Sequence, residues 1–197
     1  MSVGYETVRL DRDGPIAVLT FNRPQAMNAH NYQMRVEEQE AADEALADDD
    51  IRVLIVTGAG RAFHAGDDAK EPANSEGAAQ LREDRWLASV GRLDADKWTG
   101  QPNPRYFYGF PKPTIAAVNG AAVGGGLSIA LSCDIRLAAT SARFGYLYAR
   151  RGMAGGSDSL VTLLHLIGAS RTMELALTGD MVDAAEAERI GLVSRVV

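Results

Sequence analysis

Thr114-Ile115-Ala116-Ala117-Val118-Asn119-Gly120-Ala121-Ala122-Val123-Gly124-Gly125-Gly126 decides how this chain folds. An apolar run compatible with a strand passes through a glycine turn, and residues from about Gly125 to Cys133 then read as a helix. A second stretch of the same kind lies upstream. There Val53-Leu54-Ile55-Val56 leads into Gly60-Arg61-Ala62-Phe63-His64-Ala65-Gly66-Asp67-Asp68. Glycine reaches backbone angles closed to other residues and lets a ligand come close. Each turn can therefore aim a backbone N–H at one point in space. Two such donors form an oxyanion hole, which stabilises a carbonyl oxygen as it gains negative charge. Either turn alone reads as a tight strand-to-helix connection.

Working outward, Val8-Arg9-Leu10 and Ile16 to Phe21 flank Asp13-Gly14, a hairpin signal. Residues from about Asn31 to Leu46 are rich in helix formers, with Tyr32, Val36 and Leu46 as inward positions, and Asp48-Asp49-Asp50 ends the helix. Ile51 to Thr57 reads as a buried strand. A helix is expected from about Glu76 to Val90. Residues 91–113 hold Pro102, Pro104, Pro111 and Pro113 among Trp98, Tyr106, Phe107, Tyr108 and Phe110. That proline density excludes regular helix, and the segment reads as a long loop, either a site cover or an aromatic-anchored surface loop. Strands are expected near Ile135 to Ala138 and at Arg143-Phe144, with a loop from Arg150 to Ser159. Helices then run from Leu160 to Ile167, ended by Gly168, and from a Ser170 cap to about Thr178, ended by Gly179. A last helix is capped by Asp183 and stopped by Gly191.

The 197 residues suffice for one well-cored domain, taken as 1–197. Hydrophobic content of 46% and charged content of 23% are ordinary for a globular chain. The net charge of −6 argues against a nucleic-acid or anionic-membrane partner, though local Arg and Lys can still hold an anion. The single Cys133 cannot form an internal disulfide, which fits a reducing cytoplasm, the expected location. The N-terminus shows no basic region followed by an apolar core, and no apolar run is read as long enough to cross a bilayer. His30, His64 and His165 are scattered without metal-ligand spacing, so no metal is expected.

The two glycine turns, in this order with five further segments, resemble the crotonase (enoyl-CoA hydratase/isomerase) superfamily, which acts on acyl-CoA thioesters. The further segments are Phe21-Asn22-Arg23-Pro24-Gln25-Ala26-Met27-Asn28-Ala29, Cys133-Asp134-Ile135-Arg136, Phe144-Gly145, Leu177-Thr178-Gly179-Asp180 and residues 187–193. The resemblance covers nearly the whole chain. It implies an α/β fold, a right-handed spiral of ββα units, and a homo-oligomer, trimer or hexamer. It also implies a C-terminal helical segment after the strand ending at Val197, which is expected to be absent from this chain.

By this resemblance the oxyanion donors are the backbone N–H groups of Asp67 and Gly125. Gly125 also stands at a helix N-terminus, where the macrodipole favours negative charge. Ala26, Met27, Ala65, Asp67, Asp68 and Gly124 are expected to contact coenzyme A, which enters as part of the substrate; no separate cofactor is implied. Arg23, Lys70 and Lys112 are candidates for its phosphates. The two glutamates that handle water in the family's hydratases match Ser128 and Tyr148 here, neither a carboxylate. Ser and Tyr can relay a proton, but Tyr is a poor base near neutral pH. Two-glutamate hydration is therefore disfavoured. Some members place a carboxylate at the position of Gly156; Asp158 is the nearest here, and a helix cap is its alternative role. Glu83 and Asp84 read as a solvated face, His64 as a packed, hydrogen-bonded residue, and Asp68 as turn-stabilising.

The expected function is thus an acyl-CoA enzyme that stabilises a thioester enolate or oxyanion: an isomerase, a hydrolase or an atypical hydratase. A non-catalytic acyl-CoA-binding or interaction protein is the alternative. A remote one is an NAD-dependent short-chain dehydrogenase. For it, Val56-Thr57-Gly58-Ala59-Gly60-Arg61 would be the nucleotide loop, and Tyr108 and Lys112 would have the Tyr-x-x-x-Lys spacing.

Overall fold

The computed structural model describes residues 4–71, 107–153, 155 and 157–197, with Ser157 and Asp158 described by backbone alone. The expected helix 76–90, with Glu83 and Asp84, lies outside the described residues, as do loop residues 91–106 and Gly156.

Two sheets organise the chain. The strands of the first are β1 (Val8–Asp13), β2 (Ile16–Phe21), β3 (Val53–Gly58), β5 (Thr114–Val118), β7 (Ile135–Ala138) and β10 (Arg195–Val196). Those of the second are β4 (Ala62–His64), β6 (Ala121–Val123), β8 (Arg143–Gly145) and β9 (Met181–Asp183). The first sheet has the order β1-β2-β3-β5-β7-β10, the second β4-β6-β8-β9. Strands β1 and β2 form the expected hairpin, paired from Val8↔Phe21 to Asp13↔Ile16. Every later neighbour in the first sheet is parallel. In the second sheet β4, β6 and β8 are parallel and β9 is antiparallel to β8.

Each consecutive pair β3/β4, β5/β6 and β7/β8 gives one strand to each sheet. Helix α2 (Gly125–Ser132) follows β6 directly, and α3 (Ser157–Thr178) follows β8. This is the repeating ββα order the sequence predicts. The short strands β4 and β6 are the departure: they fall within the two stretches read as turns.

Helix α1 (Tyr32–Ala47) starts where Asn31 Oδ1 accepts the Met34 N–H at 3.0 Å. Its inward face differs from expectation. Met34, Ala41, Ala42 and Ala45 are buried, while Tyr32, Val36 and Leu46 are half-buried. Small alanines let the helix lie close on β1 and β2, and the larger residues sit at the edge of that contact. Helix α2 is buried at all eight positions, as a helix apolar on every side should be.

Helix α3 begins two residues earlier than the expected loop end, and Gly168 (φ 77°, ψ 165°) breaks it as predicted. By length and composition alone Ser159–Thr178 is long and apolar enough to cross a bilayer, with mean hydropathy 1.3. That corrects the sequence expectation. Within this stretch, however, Gly168 interrupts the helix, and Arg171 and Glu174 pair at 3.2 Å on its surface. Helix α4 (Ala184–Arg189) is capped as expected: Asp183 Oδ1 accepts the Glu186 N–H at 2.9 Å.

The core runs between the layers and joins Leu19, Phe21, Leu54 and Val56 of the large sheet to Leu127 and Ile129 of α2 and Phe144 of β8.

Candidate active site

The three parallel strands of the small sheet end side by side, and the chain leaving each lines one cleft. Ala65, Gly66 and Asp67 follow β4; Val123, Gly124 and Gly125 span the end of β6 and the start of α2; Leu147 and Tyr148 follow β8; Arg151 and Met153 complete the wall. Carboxyl ends of parallel strands are where α/β folds hold ligands, because helix N-termini and loops meet there.

The backbone donors can be oriented from their own peptide units. Gly66 O accepts the His30 N–H at 2.9 Å. In a planar trans peptide the C=O and the following N–H point in opposite directions. The Asp67 N–H is therefore directed away from His30. A Cβ built on Gly66 would lie 3.2 Å from the Gly125 nitrogen, so the two segments meet backbone to backbone. The Gly125 N–H is the first of α2 and has no intrahelical acceptor. Gly124 takes φ 55° and ψ −121°, a conformation open to glycine alone, and its N–H donates to Gly145 O at 3.0 Å. Gly126 is required for a different reason: a Cβ there would fall 2.0 Å from His64 O.

A second loop supports this turn. Pro24–Ala26 forms a single 3-10 turn, after which Met27 (φ 54°) and Asn28 (φ 56°) are both left-handed. The cost of that strain is offset by Asn28, whose buried side chain donates to Ala59 O at 2.9 Å and Ala62 O at 2.8 Å and accepts the Arg23 N–H at 2.9 Å. Met27 O accepts the Ala65 N–H at 3.1 Å, which brings Ala26 and Met27 beside the cleft. Asp68 N–H donates to His30 O at 2.8 Å.

Arg23 pairs with Asp68 at 3.0 Å, both side chains largely buried. Burial works to raise the Asp68 pKa, but the Lys70 N–H and the Arg23 guanidinium hold it below the usual carboxylate range. Asp68 is thus turn-stabilising, and Arg23 is committed to it. Lys112 donates to Ala45 O at 2.9 Å and Asp48 O at 2.6 Å, closing the C-terminus of α1. Of the three cations considered for CoA phosphates, Lys70 is the exposed one.

Among the acid–base candidates, Tyr148 lines the cleft, its ring 4.8 Å from that of Tyr146. Ser128 stands in the first turn of α2, largely buried, its Oγ 3.4 Å from Gly124 O. Asp158 stands in the first turn of α3; its side chain lies outside the described residues.

His64 is fully buried, and its Nδ1 accepts the Gly66 N–H at 3.0 Å. Burial, then His30 and the arginines Arg35 and Arg23, hold its pKa well below the ordinary value. It is a packed, neutral residue, as expected. His30 is not scattered from it: the two rings lie 4.1 Å apart. Among the described residues no three His, Cys, Asp or Glu side chains cluster as a metal site.

Sequence reasoning missed Arg151 and Met153 in the cleft wall, and Arg35, which pairs with the Asp67 carboxylate. Nothing in the local pattern of α1 marks Arg35.

The dehydrogenase alternative loses its residues. Gly58 and Gly60 lead into β4 rather than into a helix, Tyr108 Oη meets Thr162 Oγ1 at 2.5 Å, and Lys112 caps α1.

Repeating ββα units with a cleft at the strand ends of the smaller sheet define a crotonase-type α/β protein. The chain belongs to the enoyl-CoA hydratase/isomerase family of enzymes, whose sequence profile matches residues 11–197. It is 42% identical over 193 residues to a probable enoyl-CoA hydratase of Mycobacterium bovis, across 98% of this chain and 69% of that relative. It is 38% identical over 196 residues to a crotonyl-CoA hydratase of Syntrophomonas wolfei, covering 99% of this chain and 70% of that protein. The crystal structure of an enoyl-CoA hydratase subunit of Geobacillus kaustophilus superposes with a TM-score of 0.80 at 34% identity, over 98% of this chain and 69% of that one.

Proposed function

We propose that the cleft binds an acyl-CoA thioester with its carbonyl oxygen between the N–H groups of Asp67 and Gly125. The observation that supports this reading is the Gly66–His30 hydrogen bond, which turns the Asp67 N–H away from His30, with the Gly66 turn packed against the Gly125 backbone. A carbonyl held by two fixed donors becomes an electron sink, so an enolate or tetrahedral oxyanion forms more easily; one such donor is worth about 2.7–4 kcal/mol. The α2 N-terminus adds a favourable field. Coenzyme A comes as part of the substrate, along Ala26, Met27, Ala65, Asp68 and Gly124, and no further cofactor or metal is invoked.

The reaction is double-bond isomerisation, an atypical hydration, or C–C or thioester cleavage. Ser128 and Tyr148 stand where a two-glutamate hydratase would carry carboxylates. Tyr148 reaches the cleft and is the better placed for proton transfer, with Asp158 and Ser128 the other candidates. The names of the relatives support a hydratase or isomerase over a non-catalytic binder. The protein acts in the cytoplasm as a homo-oligomer, trimer or hexamer. Exposed Val161, Leu164, Met173 and Leu177 on α3 support assembly.

The test is incubation with a panel of acyl- and enoyl-CoAs in D2O, followed by mass spectrometry. Deuterium at carbon, added water or released CoA is the expected result. Unchanged substrates with confirmed CoA binding would replace this reading with a binding function.

A further inference from the structure

Behind the cleft lies a buried polar cluster that the chemistry above does not use. His64 and His30 meet ring to ring at 4.1 Å, and the edge of each approaches Phe21, with centroids at 5.0 and 5.9 Å. His30 Nε2 lies 2.7 Å from Glu38 Oε2, both groups largely buried. His30 and His64 both bond to one short piece of main chain, residues 66–68.

His64 differs from an ordinary packed histidine in what its ring does. Nδ1 faces forward along the chain and accepts the N–H of the residue two positions on, Gly66. An asparagine or aspartate side chain makes the same bond in an Asx turn. Histidine here performs that turn with a ring too large to rotate freely in its packed site. The bond also sets the tautomer: Nδ1 must be bare, so the proton sits on Nε2.

The Gly66 residue is consequently held at both of its peptide groups. On its N-terminal side the N–H is bound by His64 Nδ1, and on its C-terminal side the C=O is bound by the His30 N–H at 2.9 Å. Gly66 has φ 85° and no side chain, so without these two bonds its peptides would turn with little resistance. The C-terminal peptide is the one that carries the Asp67 N–H.

We infer that His64 is a positioning residue for the Asp67 donor, acting through the Nδ1–Gly66 hydrogen bond while His30 fixes the opposite side of the same residue. It touches no substrate. Its effect is on the direction of a backbone N–H, and a small misalignment of such a group costs far more in turnover than in binding. This inference rests on the oxyanion reading above for its effect on catalysis. Its structural half stands without that reading.

Two substitutions separate positioning from packing. His64→Asn keeps an acceptor for the Gly66 N–H and gives up ring volume. His64→Phe keeps a ring in the core and gives up the acceptor. Positioning predicts that the Asn variant retains kcat within about threefold while the Phe variant loses about tenfold or more, with KM little changed in both. The opposite order, Phe active and Asn impaired, would overturn it.

The wild-type protein supplies a reading that needs neither folding of a variant nor turnover. Nitrogen NMR of the His64 ring and amide exchange at Gly66 are measured without substrate. A bare, hydrogen-bonded Nδ1 and a protected Gly66 amide are expected. A proton on Nδ1, or a freely exchanging Gly66 amide, would refute the inference. If no acyl-CoA is turned over, the oxyanion reading fails and the NMR result alone decides this one.

Discussion

The two sheets are built by different means. In the large sheet, β1, β2 and β3 are six residues long and β5 five, and their registers run unbroken over three to six pairs. In the small sheet every strand is three residues long, and the β4–β6 pairing shifts register between Ala62 and His64. Strands that short lack the alternating side chains needed to define themselves. They are held from outside instead. The side chain of Asn28 reaches Ala59, Ala62 and Phe63, and that of Asn119 ties Gly60 to Gly58. The large sheet supplies stability through apolar burial, and the small sheet supplies position.

That contrast can be broken from either side. The largest effect is expected for Gly126→Ala. The new Cβ would meet His64 O at 2.0 Å, a backbone atom that cannot step aside, so α2 must move from β4. Turnover should drop about a hundredfold or more, read from steady-state kinetics on the substrate found in the D2O screen.

In the large sheet, Leu54→Ala removes a fully buried side chain from β3 and should cost about 3 kcal/mol of stability in a denaturant titration. Its kcat should stay near wild type under folding conditions. An equal loss of kcat would show that the two sheets are not separable in this way.

Asn28→Ala should cost about 2 kcal/mol, since it strands two carbonyls at hydrogen-bond distance and puts alanine at φ 56°. Here kcat should fall with stability, because the same side chain positions β4. Thermal unfolding and kinetics on one preparation test the coupling.

The last effect is electrostatic and depends on pH. Burial raises the Glu38 pKa from 4.5 to about 8, against the opposing pull of Arg35. The folded state then binds a proton that the unfolded state has released. This contribution to stability is complete below about 4.5 and is lost as pH rises through about 8. Glu38→Gln keeps a donor toward His30 and does not titrate. Its stability relative to wild type should grow from pH 5 to pH 8, by no more than about 1.4 kcal/mol per pH unit, and level off above. A difference that stays flat across this range would place the Glu38 proton elsewhere.

Much of this was legible along the chain. The hairpin at Asp13-Gly14, the cap at Asp183, and the breaks at Gly168, Gly179 and Gly191 are all where the residues predict. Each depends on a residue and its near neighbours. The inward face of α1 was misread because alanines carry little hydrophobic signal, yet they permit the closest packing. Tyr148 was placed in the cleft by family resemblance alone. Ser128, chosen on the same ground, lies buried in the first turn of α2.

The sequence by itself determined which segments are strands of the large sheet, where helices start and stop, and where glycine opens the backbone. These are local matters, settled by conformational preference and alternation over a few residues. Only the tertiary structure decided that two turns contain the strands of a second sheet. The same is true of His30 and His64 sharing a pocket, of Arg35 reaching Asp67, and of the direction of the Asp67 N–H. Those outcomes rest on contacts between residues 32 to 36 positions apart or more, such as Arg35 with Asp67 and His30 with Gly66. No local preference encodes such contacts, because their partners meet only when the chain is folded.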